Sequence, residues 1–126
     1  MRALVIDDSR AMRSIIAKIL HTIGFQTLEA ENGQHGLERL TKDGPFDAAF
    51  VDWNMPVMNG LEFIREVRSV RRDRSLPIVM ITTEAETDKM LQALAAGASE
   101  YVMKPFNREI LLGKLELLGL VPQEAS

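Results

Sequence analysis

Short β-branched runs alternate with longer stretches of helical period from one end of the chain to the other, and few architectures accept that order. Ala3-Leu4-Val5-Ile6, Phe25 to Ala30, Ala48-Ala49-Phe50-Val51, Ile78 to Ile81 and Tyr101-Val102-Met103 read as five strands. Apolar residues at i, i+3, i+4 spacing follow each of them. Met12, Ile15, Ile16, Ile19, Leu20 and Ile23 mark the first helix, Leu37 and Leu40 the second, and Leu61, Ile64 and Val67 the third. Met90, Leu91, Leu94 and Ala95 mark the fourth, and Ile110, Leu111, Leu115 and Leu118 the fifth. Gly24, Gly44-Pro45, Gly97 and Gly119, with Pro122 just beyond, stop the helices. Parallel strands need crossovers, crossovers are right-handed, and helices then cover both faces. The expected fold is therefore α/β, a doubly wound five-stranded parallel sheet with five helices. Periodicity alone leaves the strand order open.

The 126 residues, 46% apolar, suffice for one core, so residues 1–126 are expected to form a single domain. A net charge of -3 gives no general attraction for a phosphate backbone, which argues against direct nucleic-acid binding. The absence of cysteine excludes disulfide and thiolate chemistry. No apolar run approaches the ~20 residues that span a bilayer, and Met1 leads directly into a strand pattern, so neither membrane insertion nor a signal peptide is expected, and the expected location is cytoplasmic.

An open parallel sheet binds ligands beyond the carboxyl ends of its strands. Strand one ends in Asp7 and Asp8, strand three in Asp52, strand four in Thr82 and Thr83, and strand five in Lys104-Pro105. Three carboxylates, a hydroxyl and an ammonium thus converge on one edge. Two carboxylates ~4 Å apart repel by roughly 4 kcal/mol at an effective dielectric near 20, so the group needs a cation or shifted pKa values. Mg²⁺ suits it, being held by one or two carboxylates and completed by water and phosphate oxygens. Mn²⁺ is the alternative ion. Such a pocket fits a phosphoryl group, with Asp52 as nucleophile.

Blander readings stand beside these. Asp7-Asp8-Ser9 has the composition of a helix start, Thr82 is an ordinary β-former, and Trp53 suits plain packing. The arginines from Arg65 to Arg74 read as a solvated helix end paired with Glu62 and Glu66.

Val5-Ile6-Asp7-Asp8-Ser9, Val51-Asp52-Trp53-Asn54-Met55-Pro56 with Asn59-Gly60, Ile81-Thr82-Thr83 and Met103-Lys104-Pro105-Phe106 resemble, over the whole chain, the receiver domain of bacterial two-component response regulators, and within it the single-domain chemotaxis regulators. The resemblance implies a flavodoxin-like strand order 2-1-3-4-5. It implies Asp52 as phosphoacceptor, Asp8, Asp52 and the Asn54 carbonyl as direct Mg²⁺ ligands, and Asp7 as a ligand through water. Lys104 and Thr82 would contact the phosphoryl oxygens, Tyr101 would change rotamer with Thr82, and Lys104-Pro105 would be cis. The side chains of Asn54 and Glu84 would flank the water that removes the phosphoryl group and so tune its lifetime.

The expected function is a phosphorylation-dependent switch rather than an enzyme with an external substrate. It would take a phosphoryl group from a sensor histidine kinase, lose it by its own hydrolysis, and bind a downstream protein, a flagellar switch or another effector, through the face of helix 4, strand 5 and helix 5. The chain would be a monomer or a phosphorylation-dependent dimer. The alternative is a Mg²⁺-dependent phosphatase acting through an aspartyl phosphate. That class places its nucleophile in an Asp-x-Asp arrangement after strand one, whereas this chain has adjacent Asp7-Asp8.

Overall fold

The computed structural model describes residues 1–83 and 87–120, the side chain of Thr87 excepted. The order is β1 (Arg2–Ile6), α1 (Arg10–Ile23), β2 (Gln26–Ala30), α2 (Gly33–Asp43), β3 (Ala48–Asp52), α3 (Gly60–Arg65), β4 (Ile78–Thr83), α4 (Thr87–Ala96), β5 (Glu100–Lys104) and α5 (Arg108–Leu117). All five strands are parallel, in the order β2-β1-β3-β4-β5. The doubly wound architecture and the order implied by the resemblance are both observed.

Each buried strand sends alternate residues to opposite faces. Ala3, Val5, Ala48, Phe50, Val79, Ile81 and Val102 join Ile16 and Leu20 of α1 and Leu111 and Leu115 of α5 in one core. Leu4, Ile6, Ala49, Val51, Ile78 and Met80 join α2, α3 and α4 residues such as Leu37, Phe63, Ile64 and Ala93 in the other. Strands with both faces covered must be apolar throughout, which is why β1, β3 and β4 read as continuous apolar runs. Asparagine or serine starts four of the helices. Ser9, Asn32, Asn59 and Asn107 each accept a hydrogen bond from the amide three residues on, and the Asn59 amide donates in turn to Glu62 Oε1 to close a capping box. Gly24 and Gly97, at φ of 117° and 118°, turn the chain out of α1 and α4 through the left-handed region.

Three local expectations need correction. Strand two begins at Gln26, because Phe25 is drawn under α1 as a core residue. The stripe on the fourth helix faces the wrong way: Leu91 is 62% exposed and Leu94 and Ala95 also face outward, while Ala93 is the residue buried. A small side chain there lets α4 lie close on the sheet. Finally, the arginine-rich end of α3 is neither regular nor paired as expected. The helix passes into a π-helical turn over Glu66–Val70, and among the described residues no arginine from Arg65 to Arg74 forms an ion pair with Glu62 or Glu66. Arg68 instead reaches inward to the carbonyls of Gly97, Asp73 and Leu76.

Candidate functional site

The strand register builds the site before any side chain is considered. Ile6 of β1 pairs with Val51 of β3, so the next residues along, Asp7 and Asp52, lie side by side where the sheet ends. Asp52 in turn pairs with Ile81, and Thr83 pairs with Lys104. Asp7, Asp52 and Lys104 share the parity of Val5, Phe50 and Val102, so they rise on the α1 and α5 side. Thr82 has the parity of Ile78 and Met80 and lies on the α4 side, as does Tyr101.

Asp7, Asp8 and Asp52 each offer a carboxylate oxygen within 4.8 Å of the others. Asp7 is 1% exposed and Asp52 8%, while Asp8 is open to solvent. Lys104 donates from Nζ to Asp52 Oδ1 at 3.0 Å and stands 3.7 Å from Asp7 Oδ2. One ammonium among three acids leaves the group short of positive charge. Burial, reinforced by the neighbouring Asp7 charge, pushes the Asp52 carboxyl up to about 6. Burial also raises Asp7, against the lowering effect of its bond from the Ser9 amide. Burial acts to lower Lys104, but the Asp52 and Asp7 carboxylates outweigh it and hold the ammonium above its ordinary value.

The helix-start and site readings of Asp7-Asp8-Ser9 are both realised, by different atoms. Ser9 caps α1, and Asp7 Oδ1 accepts from the Ser9 amide at 2.8 Å. Among the described residues Asp7 Oδ2 is left buried without a hydrogen-bond partner, and the Thr82 hydroxyl, on a residue 1% exposed, is in the same condition. Buried oxygens are rarely left unpaired, and the cost of each is of order 1–3 kcal/mol. A carboxylate oxygen short of a donor, in a group carrying two net negative charges, fits a hard divalent cation.

Trp53 packs into the α2–α4 core, with the Lys89 ammonium 5.7 Å from its ring centre. Asn54 lies exposed in the loop after β3, and Lys104-Pro105 is cis. Tyr101 is half-buried on the α4 side under the Lys114 ammonium, 4.3 Å from its ring centre. Glu84 lies outside the described residues. Gly60, quoted within the sequence motifs but given no role there, is a positioning residue. Its amide donates to the Trp53 carbonyl at 3.0 Å, and a Cβ there would come 2.7 Å from the Asp52 carbonyl oxygen. Only a residue without a side chain lets α3 begin against the end of β3.

A five-stranded parallel sheet with three acids and a lysine at its carboxyl edge is the arrangement that the resemblance to receiver domains implies. The response regulator receiver domain model matches residues 3–116, and the chain belongs to that family. Among its members, the chemotaxis protein CheY1 of Helicobacter pylori is 43% identical over 119 residues, covering 94% of this chain and 96% of the relative. The chemotaxis protein CheY of Pseudomonas aeruginosa is 42% identical over 117 residues, covering 92% and 94%. The structure of chemotaxis protein CheY4 of Vibrio cholerae superposes with a TM-score of 0.83 at 36% identity, covering 92% of this chain and 96% of that one. The chain is thus a CheY-like receiver domain of two-component signalling, a class of switches rather than of enzymes in the ordinary sense. Among the described residues, no helix is long and apolar enough to cross a membrane.

Proposed function

We propose that residues 1–126 act as a single cytoplasmic receiver domain that takes a phosphoryl group from a sensor histidine kinase onto Asp52. The observation that carries this reading is the Asp52 carboxylate, nearly buried at the strand edge, bonded to Lys104 and crowded by Asp7. Asp8, Asp52 and the Asn54 carbonyl would hold Mg²⁺ directly, with Asp7 acting through water. When bound, the ion supplies positive charge opposite the phosphoryl oxygens. In its ionised form Asp52 attacks phosphorus through a carboxylate oxygen, the P–N bond to the donor imidazole breaks, and its electron pair stays on nitrogen. Lys104 is already within reach of the new oxygens and exchanges its bond with Asp52 for one with the phosphoryl group. The unpaired Thr82 hydroxyl then gains a partner.

Thr82 and Tyr101 rise on the same face of the sheet, so a Thr82 hydroxyl drawn toward the phosphoryl group vacates space on the Tyr101 side. The phosphoryl group biases this pair only through contacts that differ between the two states. The readout surface is the face of α4, β5 and α5, which meets a downstream protein, a flagellar switch or another effector, or a second copy of this chain. By the resemblance, Asn54 and Glu84 would flank the attacking water and set the lifetime of the phosphoform.

The test is incubation with acetyl phosphate and Mg²⁺ followed by mass spectrometry. A gain of one phosphoryl group that hydroxylamine removes, and that Asp52→Asn does not show, is the expected result. Full uptake by the variant would refute the assignment.

A further inference from the structure

At the opposite end of the strands from the acidic group, where β4 and β5 begin, lies an open cavity of about 800 Å³. Arg68, Arg72 and Arg74 line it together with the hydroxyl-bearing Ser69 and Ser99, and no carboxylate among the described residues does. In a chain of net charge -3 this is a local excess of positive charge. The nearby acids offset it only in part: Asp73 attracts the Arg68 guanidinium without forming an ion pair with it. The Asp73 carboxylate is occupied by the Ser75 amide and hydroxyl and the Leu76 amide, and Glu66 lines the neighbouring groove. Among the described residues no carboxylate stands within ion-pair distance of any of the three guanidinium groups.

The three arginines have different tasks. Arg68 is a fixed wall: Nε donates to Gly97 O at 2.9 Å, Nη1 to Asp73 O at 3.0 Å and Nη2 to Leu76 O at 2.6 Å. All of these acceptors are uncharged, and the Asp73 carboxylate nearby offsets its charge only in part. Gly97 permits this approach, since a Cβ there would lie 2.8 Å from Arg68 Cγ. Arg72 and Arg74 are exposed, with no hydrogen bond or ion pair among the described residues. Arg72 is held at φ 56°, a left-handed conformation that costs a residue with a Cβ roughly 1–2 kcal/mol. It follows a π-helical turn, a feature that concentrates at functional sites. Strain of this kind persists where the surroundings impose it.

Guanidinium forks with adjacent hydroxyls match phosphate oxygens, and the two free forks of Arg72 and Arg74 beside the fixed Arg68 charge exceed what a single phosphate needs. We propose that this cavity binds a ligand carrying two linked phosphate groups. The ligand is either free pyrophosphate or the diphosphate of a nucleotide, for which the methyls of Ala95 and Ala96 offer an apolar wall. The site is separate from Asp52 and Lys104, so its occupancy does not depend on phosphoryl transfer.

The experiment follows backbone amide shifts of Ser69, Arg72, Gly97 and Ser99 in the full chain during separate titrations with pyrophosphate and with ADP, at low salt and with EDTA present. Saturable shifts centred on these amides, weakened roughly tenfold or more in the Arg72→Ala/Arg74→Ala double variant, are expected. Tighter binding of ADP identifies a nucleotide ligand, and equal binding identifies the diphosphate unit alone. Either result upholds the site. No shift at these amides with ligand on the order of millimolar, shifts confined to the surroundings of Lys104, or undiminished affinity in the double variant would overturn it.

Discussion

Replacing Asp52 with Asn should strengthen the metal-free fold, and should do so only above mildly acidic pH. The Asp52 carboxyl is raised from 3.8 to about 6 in the folded chain. Between those values the folded state holds a proton that the unfolded state has released, so stability falls as pH rises through the window and levels off above it. At 1.36 kcal/mol per unit, the two-unit shift amounts to about 3 kcal/mol of lost stability at neutral pH. Asn resembles the protonated acid, keeps an acceptor for Lys104 and never ionises, so the variant escapes the loss. For a domain of this size the gain corresponds to roughly 10 °C in Tm. Urea unfolding in EDTA at pH 4, 6 and 7.5 checks it: the two proteins should be close at pH 4 and diverge to the full difference at pH 7.5. Adding Mg²⁺ should narrow the gap by stabilising the wild type through binding. Equal stability at pH 7.5, or a gap independent of pH, would refute the electrostatic reasoning.

The other outcomes concern residues around the carboxylate. Thr82→Val removes a buried hydroxyl that has no partner among the described residues and should stabilise the unphosphorylated chain by about 1 kcal/mol in the same unfolding assay, while blunting any phosphorylation-induced change in Tyr101 side-chain resonances. Gly60→Ala drives a methyl against the Asp52 carbonyl oxygen and should cost roughly 2 kcal/mol and slow acetyl phosphate uptake, measured by mass spectrometry over time. Lys104→Ala frees the acids from their resident ammonium, so Mg²⁺ titrated against Trp53 fluorescence should bind at least as tightly as in the wild type.

The sheet was legible because buried parallel strands must be apolar on both faces, and the site was legible because polar residues end those strands at Asp7, Asp52, Thr82 and Lys104. What escaped the sequence depends on distances between elements. The outward turn of Leu91 and Leu94 follows from how closely Ala93 lets α4 approach, which no periodicity encodes. Arg68 looked like one cation in a solvated row, and its three carbonyl acceptors come from Gly97, Asp73 and Leu76, remote positions gathered by the fold. A β-branched residue is a poor candidate for positive φ, yet Val57 stands at φ 67° in the loop that carries Asn54. The unpaired state of the Thr82 hydroxyl is likewise a property of its surroundings and has no sequence signature.

The alternation of strand residues between two cores has a consequence for how such a chain diversifies. Asp7, Asp52 and Lys104 stand on the layer shared with α1 and α5, while Thr82 and Tyr101 stand on the layer shared with α4. Side chains on opposite faces of one sheet share few packing partners, and substitutions without shared partners add nearly independently, save where α5 reaches across as Lys114 does over Tyr101. A lineage can therefore rewrite the outer surface of α4 to suit a new listener while Asp7, Asp52 and Lys104 keep their chemistry, with Thr82 as the position that answers to both. Divergence of partner and persistence of reaction are separable in this fold because a β-sheet is one residue thick.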